Sequence, residues 1–182
     1  MLENLFDLVK QQADESIIKN PAIPDQQNEA AIQEAGHSVM DTLKKALSEG
    51  QLNQVMGLFS NGQADANHPV VQQATGNFME RLQNQFGLNS SQASGIAGQL
   101  IPNVMNMFAQ KTANPDDNSF DVQQIFNQLS NGQTSGMNIE GMMNKLKGGL
   151  DKDGDGDIDL NDLKSAFAGG GSLHDKFKGM LG

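Results

Sequence analysis

The residues best suited to chemistry are aspartates concentrated in the twelve-residue segment DKDGDGDIDLND, residues 151–162. Calcium binds six to eight oxygen atoms, and a tight loop can supply them from alternating side chains. Gly156 permits the sharp turn that such a loop requires, Asp157 would offer its backbone carbonyl, and Asp159 would bind directly or through water. The candidate metal ligands are the six aspartates of this segment: Asp151, Asp153, Asp155, Asp157, Asp159 and, closing the shell, Asp162.

The surroundings of this segment fit a calcium loop between two helices. Ile158 is the apolar residue that anchors such a loop to its neighbour. Apolar residues continue at helical spacing on both sides: Met142, Leu146 and Leu150 before the loop, Leu163 and Phe167 after it. A solvated acidic linker is the alternative, but five carboxylates at every second residue repel one another unless a cation compensates them.

The segment resembles an EF-hand, because the ligand positions, the glycine, the apolar residue and both flanking helical patterns are present. Asp162 stands where sensor EF-hands have Glu, and in this respect the segment is similar to the dockerin-type bacterial loops. The resemblance implies a bound calcium ion. Magnesium is the expected competitor, since it accepts a smaller shell of six oxygens.

No second complete loop accompanies this one. The nearest candidate, residues 114–119, lacks the glycine and places apolar Ile125 at the twelfth position. A linker that caps a helix is therefore the favoured interpretation there. A solitary loop indicates either a structural ion packed on a helical body or pairing across a homodimer.

The remaining candidates for chemistry are weaker. Glu34 and His37 have the spacing of half a carboxylate di-iron site, but His68 and His174 lack a Glu three residues earlier. Such sites need two motifs, so we expect His37 to be an exposed helical residue and the other two histidines to lie at the surface. Three methionines could form a calcium-exposed groove, although ordinary core positions are favoured: Met137, Met142 and Met143. We predict no enzymatic activity.

Composition excludes several classes of protein. The 182 residues contain no Cys, which rules out disulfides, thiolate zinc sites and cysteine nucleophiles. A formal net charge of −10 argues against nucleic-acid binding, which needs clustered Lys and Arg. No apolar run is long enough for a membrane span, and the N-terminus carries acidic residues where a secretory signal needs positive charge. We expect a cytoplasmic protein.

The apolar residues recur at helical spacing, which predicts an all-α fold, a multihelical array with a single C-terminal EF-hand. Helices are expected around residues 2–17, 25–48 and 52–59. A fourth should begin at Pro69 and end at Gly87, and a fifth, the centre of the core, should follow a capping box of Asn89 and Gln92. Short helices are expected near 122–129, 139–146 and 163–168.

The chain divides into an N-terminal helix and proline linker (1–24), a helical core domain (25–136), and the EF-hand with a tail helix (137–182). Residues 52–63, LNQVMGLFSNGQ, align without gaps to residues 122–133, VQQIFNQLSNGQ. This internal echo, the similarity of the two segments, predicts a duplication in which two helical units pack face to face. The alternative is that any short helix that ends in Ser-Asn-Gly has a similar sequence.

A wider resemblance covers about a third of the chain. Residues 51–70 and 85–117, which include Leu100-Ile101-Pro102-Asn103-Val104, resemble the YidB-like bacterial proteins of unknown function. The resemblance implies a multihelical cytoplasmic fold and no known activity.

Together these patterns predict a non-enzymatic calcium-binding protein whose ion is mainly structural. Two alternatives stay open. The first is a self-associating scaffold, a homo-oligomer with an incidental metal site. The second is a calcium-triggered switch that exposes Met142 and Met143 to a protein partner.

Overall fold

The computed structural model describes residues 2–60, 62–114, 117 and 119–145. Within these ranges the chain is all-α and contains no strand. The helices are α1 (Leu2–Gln12), α2 (Asn28–Ser48), α3 (Leu52–Ser60), α4 (Pro69–Phe86), α5 (Ser90–Ala113), α6 (Val122–Leu129) and α7 (Ile139–Lys145). A turn of π-helix, Asp14–Ile18, follows α1, and a 3-10 turn, Asp25–Gln27, precedes α2.

Local signals set the limits of α4 and α5, as the sequence predicts. Pro69 begins α4 because its missing N–H costs nothing at the first helical position. Gly87 ends α4 at φ 69°, a left-handed conformation that glycine adopts without steric cost. Asn89 then caps α5: its side chain accepts from Gln92 N–H at 2.9 Å, and the Gln92 side chain accepts from Asn89 N–H at 3.2 Å.

Helix α5 lies at the centre of the core, which confirms the expectation. It contacts the four helices α1–α4 and the π-helical turn. Its inward face is almost entirely buried: Ala93, Ile96, Ala97, Leu100, Ile101, Val104, Met105, Phe108 and Ala109. Apolar side chains from α1 to α7 join this face in one contiguous cluster.

Helices α1 and α2 approach closely at Gly36, in the middle of α2. A Cβ atom at this position would lie 2.5 Å from Phe6 Cε1 and 2.6 Å from Phe6 Cδ1, well inside van der Waals contact. The same Phe6 ring packs edge-on against His37, with ring centroids 5.3 Å apart and planes at 75°. The absence of a side chain at Gly36 therefore lets the phenylalanine of α1 pack directly on the backbone of α2.

Phenylalanines join α6 to the rest of the molecule. Phe59 of α3 meets Phe108 of α5 edge-on at 5.0 Å and Phe126 of α6 at 6.2 Å. Phe120, just before α6, meets Phe108 at 5.1 Å. The short helix α6 is thus attached to α3 through Phe126, and the segment just before it is attached to α5 through Phe120.

The two segments of the internal echo end in similar turns. Gly62 after α3 has φ 62°, and Gly132 after α6 has φ 84°, at positions 70 residues apart. Helix α3 packs against α2, α5 and α7, and α6 packs against α2 and α7. The duplication and the domain limits stay predictions.

Candidate functional site

The acidic loop 151–162, with its six candidate ligands, lies outside the described residues, so its predicted role in metal binding stays a prediction. What the structure describes is the helix that leads toward it. The structure describes helix α7 as far as Lys145, and residues 146–150 lie between this point and Asp151 in the sequence. The candidate site is therefore considered through α7 and the contacts that fix its position.

Helix α7 is anchored by apolar side chains and a capping residue. Ile139 is fully buried and Met143 is 5% exposed, while Met142 packs against the core from a half-buried position. Asn138 caps the helix, since its side-chain oxygen accepts from Gly141 N–H at 2.7 Å. Met142 and Met143 are thus core or near-core residues, as favoured from the sequence, whereas Met137 is 44% exposed.

A polar bridge from Gln123 links α6 to the start of α7. Its side-chain oxygen accepts from Ile139 N–H at 3.0 Å, and its side-chain nitrogen donates to the Thr134 carbonyl at 3.4 Å. One amide side chain thus binds the turn and the first residue of α7 together. Sequence reasoning missed this role, because a Gln on the polar face of a short helix gives no signal of its own.

The turn between α6 and α7 has its own hydrogen-bond network. Thr134, only 5% exposed, donates to the Asn127 side chain at 2.9 Å. The hydroxyl of Ser130 lies 3.1 Å from the Thr134 hydroxyl and accepts from Thr134 N–H at 3.2 Å. We call residues 122–145 the α6–α7 hairpin, because its turn is held by bonds within the segment.

Among the described residues, Glu34 and His37 contact different partners. The Glu34 carboxylate pairs with Arg81, which also donates to Asp41 at 2.8 Å. His37 is half-buried against Phe6 rather than exposed, so that prediction was wrong. The close approach of α1 at Gly36 explains the difference. In the part of the chain that the structure describes, no group of three His, Cys, Asp or Glu side chains could hold a metal ion.

His68 caps α4 rather than lying free at the surface. Its Nδ1 accepts from Val70 N–H at 3.3 Å. Burial lowers the pKa of this half-buried imidazole below its usual 6.5, against the opposing effect of the Asp65 carboxylate. The neutral ring is the form that accepts this hydrogen bond, because a protonated ring has no lone pair to offer. His174 lies outside the described residues.

In the acidic linker between α5 and α6, one carboxylate bonds to the linker itself and to the end of α5. Asp117 accepts from Ser119 N–H at 2.9 Å and pairs with Lys111 at 3.1 Å. Hydrogen bonds from Ser119, together with Lys111, lower the pKa of Asp117 to about 2. This carboxylate serves to hold the linker to the end of α5, which agrees with the favoured interpretation of residues 114–119 as a linker.

An open groove of about 370 Å³ lies between α1 and α2. Phe6 and Ile32 contribute apolar surface, and Lys10 reaches across to Glu29 at 3.8 Å. The groove mixes charges of both signs with a small apolar area, which gives no preference for one class of ligand.

No protein-family model, curated protein or solved structure matches the chain. None of the described helices is long and apolar enough to cross a membrane.

Proposed function

We propose that the protein is a non-enzymatic calcium-binding helical protein, with one EF-hand-type loop at residues 151–162 and an ion that is mainly structural. The observation that carries this proposal is the spacing of Asp151, Asp153 and Asp155, followed at once by Gly156. Carboxylate and carbonyl oxygens are hard ligands, which suit calcium and magnesium rather than softer metals. The calcium ion would supply charge compensation, and the aspartates would supply the oxygen shell.

The position of α7 supports a structural ion. Ile139 and Met143 hold this helix to the core, and Gln123 holds its first residue. An ion bound by the loop 151–162 would therefore connect this loop to a helix that is fixed on the helical body.

Calorimetric titration of metal-stripped protein with calcium tests the proposal. We expect a single site that persists in millimolar magnesium. Asp153→Asn should weaken calcium binding roughly tenfold or more, because affinity follows the charge count of the shell. Asp25→Asn, which removes one charge from an exposed position on the body, is the matched control and should leave binding unchanged. Absence of calcium heat, or equal binding by both variants, would contradict the proposal.

Thermal unfolding and light scattering separate the structural ion from the alternatives. Calcium at a hundredfold excess over its dissociation constant should stabilise the protein by about 2.7 kcal/mol. A structural site predicts the same molecular mass with calcium and with chelator, together with a lower melting temperature in chelator. A scaffold with an incidental site predicts oligomers in both conditions, and a switch predicts dye-binding apolar surface only with calcium.

The proposed location is the cytoplasm, where low free calcium would require either high affinity or conditional occupancy. Cell fractionation tests this location. Recovery in an exported or membrane fraction would contradict it.

A further inference from the structure

The α6–α7 hairpin packs against the α1–α5 body less extensively than α4 packs against α5. Its internal structure depends on its own polar groups, since Gln123, Thr134 and Asn138 all bond within residues 122–145. Among the described residues, no hydrogen bond or ion pair connects residues 122–145 to residues 2–113. In the part of the chain that the structure describes, apolar side chains join the hairpin to the α1–α5 body.

Among the described residues, the last polar contacts between the chain and the body lie just before the hairpin. Asn4 of α1 donates to the Ser119 carbonyl at 2.8 Å, and Lys111 of α5 pairs with Asp117 at 3.1 Å. These bonds fix the linker up to Ser119, three residues before α6 begins. A hinge at residues 120–121 would therefore leave the linker on the body while the hairpin moves.

A small cleft, partly open to solvent, lies between the hairpin and the body. Its volume of about 20 Å³ is room for a single water molecule. Its apolar lining comes from both sides: Leu5, Met40, Leu43 and Phe108 from the body, Phe120 from the linker, and Ile125 and Leu129 from the hairpin. The hairpin and the body are therefore not in close contact along this part of their boundary.

We propose that the α6–α7 hairpin separates from the α1–α5 body as one unit, about the hinge at 120–121, while α4 and α5 remain folded. Segments that pack against the rest of a protein over a small area open with free energies below that of global unfolding. The movement uncovers an apolar face that includes Phe59 and Phe108 on the body and Phe126 on the hairpin. This inference goes beyond calcium binding and does not depend on it.

Native-state amide hydrogen exchange on the full chain, in buffer with chelator, tests the proposal. Amides of α6 and α7 should share one opening reaction and exchange roughly tenfold or more faster than the slowest amides of α4 and α5. The proposal is overturned if α6 and α7 exchange only through the global unfolding reaction of α4 and α5, or through two unrelated openings.

Two matched truncations sharpen the test. Leu129→Ala, at the interface, should speed exchange in both hairpin helices roughly 30-fold or more. Leu82→Ala, buried in α4, should speed the slowest amides of α4 and α5 to a similar degree and leave the hairpin amides unchanged. If Leu82→Ala accelerates the hairpin equally, the hairpin does not open on its own.

A second pair of variants tests whether the hairpin opens as one unit. Gln123→Ala removes the bridge to Ile139 and should let α7 exchange faster than α6. Gln124→Ala, an exposed neighbour of the same type, should leave the two helices exchanging together. Equal behaviour of the two variants would show that the bridge does not unite the hairpin.

Discussion

Replacing Gly36 with Ala measures how tightly α1 packs on α2. In an exposed helix interior, Gly→Ala stabilises by about 1 kcal/mol, because alanine loses less backbone entropy on folding. At Gly36, however, the new Cβ would lie 2.5 Å from Phe6 Cε1, against a normal carbon–carbon contact of about 3.5–4.0 Å. Overpacking of this kind costs about 1–3 kcal/mol. We therefore expect a net loss of about 1 kcal/mol in the free energy of unfolding.

Gly95 provides the matched control. It lies on the exposed side of α5, and a Cβ there would meet nothing within 4 Å. Gly95→Ala should therefore stabilise by up to about 1 kcal/mol, so that the two variants differ by about 2 kcal/mol. Urea unfolding followed by circular dichroism suits a chain without Trp or Tyr. If Gly36→Ala stabilises as much as Gly95→Ala, the close contact between Phe6 and α2 is not present in solution.

A double-mutant cycle assigns the cost to the phenylalanine. Phe6→Leu removes the ring that meets the new Cβ, so Gly36→Ala should be less harmful in that background. Contacting residues typically show coupling of 0.5–3 kcal/mol, and we expect about 1 kcal/mol here. If the effects of Phe6→Leu and Gly36→Ala on the free energy of unfolding are additive, the cost of the new Cβ does not come from the Phe6 ring. A shift of α1 as a whole is one example of another source.

Two further predictions concern charge. Because burial lowers the pKa of His68, the imidazole binds fewer protons in the folded protein than in the unfolded chain. The stability that the cap contributes should therefore be complete above pH 6.5 and be lost as the pH falls through the lower pKa of the folded state. His68→Asn should keep the cap without this pH dependence, as urea unfolding between pH 5 and 8 would show. Arg81→Met breaks the half-buried pair with Glu34 and should cost about 1–2 kcal/mol, between the values for exposed and buried pairs. Lys19→Met, which breaks only exposed pairs, should cost clearly less than Arg81→Met in the same assay, because solvent screens these charges. An Arg81 effect no larger than that of Lys19 would contradict a role in joining α2 to α4.

Much of the fold could be predicted because the signals are local. Pro69, Gly87, Asn89 and Gln92 set the helix limits through their own backbone chemistry, and the apolar period of α5 marks its buried face. These features need no knowledge of distant residues. The all-α fold and its central helix were therefore predicted correctly.

The features that the sequence did not reveal depend on contacts between distant segments. His37 is half-buried because α1 approaches at Gly36, and a glycine in the middle of α2 was the one available signal. Arg81, the single arginine of the sequence, reaches α2 across 47 residues. The π-helical turn after α1 arises where Ile18 N–H bonds the Ala13 carbonyl at 3.1 Å, which helical spacing alone does not distinguish from an α-helix.

The metal site was predicted from spacing alone, and its ligands lie outside the described residues. Spacing specifies which oxygens a loop can bring together, but the affinity depends on how closely Asp162 approaches the ion. The described part of the chain contributes the anchored helix α7, which the apolar pattern at Ile139, Met142 and Met143 predicted.

Residue-resolved NMR during a calcium titration of metal-stripped protein tests the central claim most directly. We predict that amide signals of residues 151–162 change along one binding curve with one calcium per chain. Smaller changes should extend into α7, while α4 stays unchanged. An absence of change in residues 151–162, or changes confined to other parts of the chain, would contradict calcium binding at this loop.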